Sequence, residues 1–124
     1  MAKKEIKGTI AAVGPYSAAV ESGNLVFVSG QLPINAASGT MPDGAAAQAK
    51  ESLANLKGVL ENAGLTTANV VKTTVFLKNI ADFAAVNEVY ASFFTAPYPA
   101  RSAVEVANIP KGALVEIEAI AIKA

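Results

Sequence analysis

The sequence predicts a two-layer α+β domain, a mainly antiparallel sheet with two helices on one face. Three observations predict it. Apolar residues recur at helical spacing in two stretches, near residues 45–63 and 83–94. Segments rich in Val, Ile and Thr alternate with them at strand period. The resulting order is strand, strand, helix, strand, helix, strand, strand. The length of 124 residues suits one domain over 1–124, because a chain of that size buries about two-thirds of its unfolded surface.

Each element has its own local cause. Ala18 to Glu21 is a short strand, Ser22-Gly23-Asn24 is turn chemistry, and Leu25 to Ser29 follows, which makes a hairpin. Gly14-Pro15 places Tyr16 at the entrance to the first strand. Asn35 to Gly44 is a loop, signalled by Ser38-Gly39 and Pro42-Asp43-Gly44. In the helix Ala45 to Ala63, one face carries Ala49, Leu53, Leu56, Leu60 and Ala63, with Lys50, Glu51, Asn55, Lys57 and Glu61 off it. Gly64 is its C′ residue and Leu65 the hydrophobic contact past the cap. Val70 to Lys78 is a strand, after which Asn79 is suited to cap a helix and Asp82 to sit at its positive end. Phe83, Val86, Tyr90 and Phe94 form the second stripe, which ends near Pro97. Ser102 to Val106 and Leu114 to Ile122 are the last strands, joined through Ile109-Pro110-Lys111-Gly112.

The last strand raises a packing question. Val115, Ile117, Ala119 and Ala121 point one way and suit a helix layer. Leu114, Glu116, Glu118, Ile120 and Ile122 point the other, mixing carboxylates with large hydrophobes. Two helices cover only one side, so further subunits are expected over the other.

Composition excludes much chemistry. There is no His and no Cys, which removes Ser-His-Asp and Cys-His catalysis, CxxC redox chemistry, c-type haem and thiolate or imidazole zinc sites. No carboxylate cluster has metal spacing, and neither a P-loop nor a GxGxxG is present. Ten Lys plus Arg balance ten Asp plus Glu, so the usual drive toward nucleic acid is missing. Of the 52% apolar residues many are Ala, and no run approaches a membrane span. The start, Met1-Ala2-Lys3-Lys4-Glu5, lacks an apolar signal region, and a cytoplasmic location is the expectation.

The candidate residues are few. Arg101, the only arginine, opens a strand, and its fork suits a carboxylate or phosphate. Its plain alternative is a surface charge at a strand end. Glu116 and Glu118 share the uncovered face, where a buried carboxylate needs a partner or a task, an intersubunit salt bridge being the plain alternative. Glu105 reads as structural. Tyr16 and Ser29, the latter beside Gly30-Gln31 at an expected tight turn, are either aimed hydroxyls or local hydrogen bonders. Asn87 shares the stripe of Phe83, Tyr90 and Phe94, where a polar residue commonly satisfies a backbone group. From the residues alone, the best candidate site is Arg101 with one carboxylate of the last strand, at an interface and suited to a small anion.

At these residues the chain resembles a known family. Pro99-Ala100-Arg101-Ser102-Ala103-Val104-Glu105-Val106-Ala107, Ile109-Pro110 and Val115-Glu116-Ile117-Glu118-Ala119 resemble the signature of the RidA proteins, also called the YjgF family of reactive imine/enamine deaminases. Gly14-Pro15-Tyr16-Ser17, Val28-Ser29-Gly30-Gln31-Leu32-Pro33, Leu53-Ala54-Asn55-Leu56, Val71 to Leu77 and Asp82-Phe83 with Val86-Asn87 and Tyr90 extend the match in order along the chain. The resemblance implies a chorismate-mutase-like fold, a homotrimer whose sheets form a central barrel, and three clefts between subunits. It implies hydrolysis of 2-imino acids, such as 2-iminobutanoate and 2-iminopropanoate, to 2-keto acids and ammonia, with neither cofactor nor metal. By matching, Arg101 clamps the substrate carboxylate and Glu116 positions or activates water. Backbone groups of Ala103 lie near the imine, and Tyr16, Ser29, Gly30 and Asn87 line the site. Glu118 stays structural. Many members carry Cys where Ala103 stands, so cysteine-based control is absent from this chain. Residues 95–100 also form a short loop compared with some relatives. Two other classes compete with the deaminase: an endoribonuclease or translation inhibitor, and a non-catalytic carboxylate binder or chaperone-like trimer.

Overall fold

The computed structural model describes residues 2–123; the outer bounds of the expected domain, Met1 and Ala124, lie outside the described residues. Six strands form one mixed sheet: β1 (Lys4–Ile6), β2 (Ala19–Ser22), β3 (Leu25–Gln31), β4 (Val70–Leu77), β5 (Ala100–Glu105) and β6 (Val115–Ile122). Their spatial order is β1-β2-β3-β6-β4-β5. Every neighbouring pair is antiparallel except β4 and β5. That one parallel pair follows from the connection. Helix α2 (Phe83–Phe93) carries the chain back from the end of β4 to the start of β5, as parallel neighbours require. The other helix, α1 (Ala45–Asn62), joins β3 to β4 and packs against α2, β6 and β3.

The expected order of elements holds, with one addition and shifted ends. β1 goes unread in the sequence, because a charged segment of three residues has too little pattern to register. β5 begins at Ala100 rather than Ser102 and ends at Glu105. β3 runs on to Gln31, so Ser29-Gly30-Gln31 is not a tight turn. The strand pairing with β6 instead shifts register between Val28 and Gln31.

Helix α1 ends as its sequence requires. Gly64 takes φ 76°, its N–H donates to Glu61 O at 2.9 Å, and the Leu65 N–H donates to Leu60 O at 2.8 Å. Those two bonds form a Schellman closure, which favours glycine at the left-handed position. The α2 side differs from expectation. Asn79 makes no side-chain cap, and the turn Ile80–Asp82 precedes the helix. Glu105 supplies the cap instead: the Ile80 N–H donates to its Oε1 at 2.8 Å. This confirms the structural reading of Glu105.

The core lies between helices and sheet. Leu53, Leu56, Val59 and Leu60 of α1 are essentially solvent-free, as are Val115, Ile117 and Ala121 of β6 and Val75 and Leu77 of β4. The expected alternation of the last strand therefore holds. Its opposite row stays partly or fully open, and Phe27, Val104 and Ile122 are exposed on strands β3, β5 and β6.

Asn55 departs from its expected solvent position and is buried. Its Nδ2 donates to Leu32 O at 3.0 Å and Ile34 O at 2.8 Å, and its Oδ1 accepts from Thr9 Oγ1 at 2.8 Å. One amide thus ties the N-terminal segment and the end of β3 to α1, and buried carbonyls need such partners. Asn55→Ala is expected to lower stability by about 2–4 kcal/mol in urea unfolding, because two carbonyls and a hydroxyl lose their partner.

Candidate active site

Arg101 sits on β5 in register with Thr73 of β4. Thr73 is fully buried beneath the helix layer, so Arg101 projects toward α2. Three α2 residues receive it at i, i+4 and i+7: Phe83, Asn87 and Tyr90. Arg101 Nη1 donates to Asn87 Oδ1 at 2.6 Å. The guanidinium carbon lies 4.8 Å from the Tyr90 ring centroid and 5.4 Å from that of Phe83. Ring faces attract a cation without consuming its donors. Arg101 also lines a cavity of about 400 Å³ together with Asn87, Tyr90, Ala91, Tyr98 and Pro99. Neither ion pair among the described residues involves Arg101.

Tyr90 is held from behind. Its hydroxyl lies 2.7 Å from Thr73 Oγ1 in the interior. Burial raises its pKa above the ordinary tyrosine value, against smaller lowering by Thr73 and Arg101. Ala103 follows two residues after Arg101 on the same side and packs against the core.

Glu116 belongs to the other face of the sheet. Its neighbours Val115 and Ile117 are buried under the helices, so its side chain points away from them. It is paired with Phe76 on β4. Across β3 it meets Gly30, where an added Cβ would lie 2.6 Å from Glu116 Oε2 and 2.7 Å from its Cδ. A side chain at position 30 would push that carboxylate aside. Burial raises the Glu116 pKa above 4.5, and the charge of Glu118 raises it further.

Tyr16 and Gly30 share a smaller cavity of about 100 Å³, with Ala18, Leu32 and Lys111 among its walls. Tyr16 is half exposed, and its N–H donates to Gly14 O at 2.9 Å. Ser29 Oγ donates to Ser17 O at 2.7 Å, and the Ser29 N–H donates to Ala18 O at 2.9 Å. The Ser29 hydroxyl thus fastens the Tyr16 segment to β3.

The sequence-predicted residues therefore form two groups. Arg101, Asn87 and Ala103 lie on the helix side. Glu116 and Gly30 meet at the other face, with Tyr16 and Ser29 beside Gly30. Arg101 and the last-strand carboxylate, expected together at an interface, lie on opposite faces within a single chain, because strand alternation separates them. Phe83 and Tyr90 were legible only as a core stripe. The signal that recruits them is their i, i+7 spacing around Asn87. Tyr98 and Lys111 carried no signal beyond adjacency to proline.

Two helices laid on one face of this six-stranded mixed sheet define a two-layer α+β protein. Residues 6–123 match the profile of the family described as Endoribonuclease L-PSP. The chain is 52% identical over 116 residues to the 2-iminobutanoate/2-iminopropanoate deaminase of Escherichia coli K12, covering 91% of each. It is 55% identical over 117 residues to a RutC family protein of Haemophilus influenzae, covering 91% of this chain and 90% of that one. The crystal structure of the YjgF gene product from E. coli matches it with a TM-score of 0.94 at 49% identity, covering 98% of this chain and 99% of that one. The chain belongs to the Endoribonuclease L-PSP family, the family of the RidA and YjgF proteins.

Among the described residues no helix is long and apolar enough to cross a membrane, and no group of three or more His, Cys, Asp or Glu could hold a metal ion. The raised Glu116 pKa has a consequence for stability. The folded state binds this proton more tightly than the unfolded chain does. The stabilisation is full below pH 4.5 and is lost as pH rises through the raised folded value. Glu116→Gln, which does not titrate, is expected to lose less stability than wild type over that window, measured as urea midpoints against pH.

Proposed function

We propose that the chain hydrolyses 2-imino acids, such as 2-iminobutanoate and 2-iminopropanoate, to 2-oxo acids and ammonia. The observation that carries this reading is the Arg101 cradle, a guanidinium held by two rings and one amide with no ion pair among the described residues. Such a fork suits the carboxylate of a small acid. The names of the similar deaminases support the same substrate class.

The reaction asks for little else. A protonated imine is already electrophilic, so neither a covalent nucleophile nor a metal is needed. Arg101 holds the carboxylate. A Glu116 carboxylate takes a proton from water as its oxygen bonds to the imine carbon. The same proton passes to the nitrogen of the tetrahedral adduct. As the carbon–nitrogen bond breaks, Glu116 takes the hydroxyl proton of the adduct, so ammonia leaves and the 2-oxo acid forms; that proton then passes to the departing ammonia to give ammonium. Burial suits Glu116 to this work, since a raised pKa makes it a stronger base.

Because the two groups lie on opposite faces, the proposed site joins Arg101, Asn87 and Ala103 of one copy to Tyr16, Ser29, Gly30 and Glu116 of the next. A closed ring of three copies does this while covering the apolar face that bears Phe27, Val104 and Ile122. The same reading treats residues 1–124 as one domain, working in the cytoplasm.

The family profile is named for an endoribonuclease, which keeps RNA cleavage as a second reading. A net charge of zero and one arginine give that reading little electrostatic support.

The test is loss of 2-iminobutanoate generated in place by a threonine dehydratase, with semicarbazide as competitor. Wild type is expected to speed imine loss. Arg101→Ala should abolish that gain, and Glu116→Gln should lower it by about 10²–10⁴-fold. Ligand binding without turnover by the assembled wild type would point instead to a carboxylate binder. Sequence-selective RNA cleavage that survives Glu116→Gln would support the endoribonuclease.

A further inference from the structure

Arg101 is held more elaborately than a carboxylate clamp requires. Asn87 can orient one edge of the guanidinium by itself. The tilt of its plane is set by ring faces, and the nearer ring, Tyr90, is not free to turn. Tyr90 is almost solvent-free and packs at 4.8 Å between centroids against Phe94. Its hydroxyl is anchored 2.7 Å from Thr73 Oγ1, and Thr73 is the β4 residue in register with Arg101. The chain of contacts is closed. Thr73 fixes Tyr90, Tyr90 faces the guanidinium, and the Arg101 backbone is paired back to Thr73.

We propose that Thr73 and Tyr90 are positioning residues that set the plane of the Arg101 guanidinium through their buried hydroxyl pair. A valine and a phenylalanine would fill the same space, so packing alone does not call for two hydroxyls here. A buried hydroxyl is costly unless paired. The pair restricts how the ring can move, and the ring restricts the fork. The benefit falls on ligand capture, because a fork already in plane loses less freedom when a carboxylate arrives. This inference rests on the proposed carboxylate clamp, but its main readout does not.

The experiment uses Thr73→Val, Tyr90→Phe and the double variant in the assembled protein. Each single variant leaves one buried hydroxyl without its partner and is expected to destabilise the fold. The double variant removes both partners and is expected to recover stability. Arg101 is the only arginine, so its Nε–H gives one unambiguous NMR signal. In wild type that signal should show a rigid side chain. In the double variant it should show increased motion although stability has recovered, and KM for the imine should rise up to about tenfold with kcat little changed. Thr73→Ser keeps the hydroxyl and should retain both the rigid signal and the wild-type KM. An Nε–H signal as rigid in the double variant as in wild type would overturn the proposal. If wild type shows no imine turnover, the deaminase reading fails while the NMR comparison still decides the positioning role.

Discussion

The period-two alternation of β6 is the constraint on which the rest depends. This strand lies between β3 and β4 near the middle of the sheet. One row, Val115, Ile117, Ala119 and Ala121, is covered by the helices and cannot be exposed without dismantling the core. The other row must then carry Glu116 to the opposite face. A slip of one residue would exchange the rows, burying Glu116 under α1 and exposing the aliphatic residues. Core packing and placement of the carboxylate are therefore one fact.

The same alternation on β5 sends Arg101 the other way, toward α2. The separation has a physical logic. A guanidinium and a carboxylate brought together in one chain would neutralise each other and leave neither available to a ligand. Kept apart, Arg101 rests on aromatic faces, and Glu116 keeps a pKa raised by burial and by the charge of Glu118, with its carboxylate against Gly30. On the proposed reading, a site of this kind forms where two copies meet. On that reading, assembly performs two tasks, covering the apolar face and bringing base and clamp together.

Much of this was legible in residue order. The helical stripes, the Gly64 closure and the buried row of β6 all follow from local periodicity and hold in the structure. What escaped the sequence depends on long-range partners. Asn55 looks like a surface residue until Leu32 and Ile34 turn their carbonyls toward it. Asn79 looks like a cap until Glu105, from another strand, takes the free N–H. Arg101 and a last-strand carboxylate were paired from the sequence as one site at an interface, but their placement on opposite faces of one chain needed strand register. The part played by Tyr90 was hidden because an aromatic residue on an apolar stripe looks like core, and here it is core as well as the floor beneath the guanidinium.

The central claim, a site shared between neighbouring copies, is tested most directly by mixing two inactive variants. Arg101→Ala and Glu116→Gln chains are unfolded together, refolded in equal amounts and assayed for imine hydrolysis. If each site takes Arg101 from one copy and Glu116 from the next, about one site in four regains both residues under random assembly, and activity returns to about a quarter of wild type. Mixed assemblies that stay as inactive as either parent would contradict a shared site and place the chemistry within one chain or elsewhere on it.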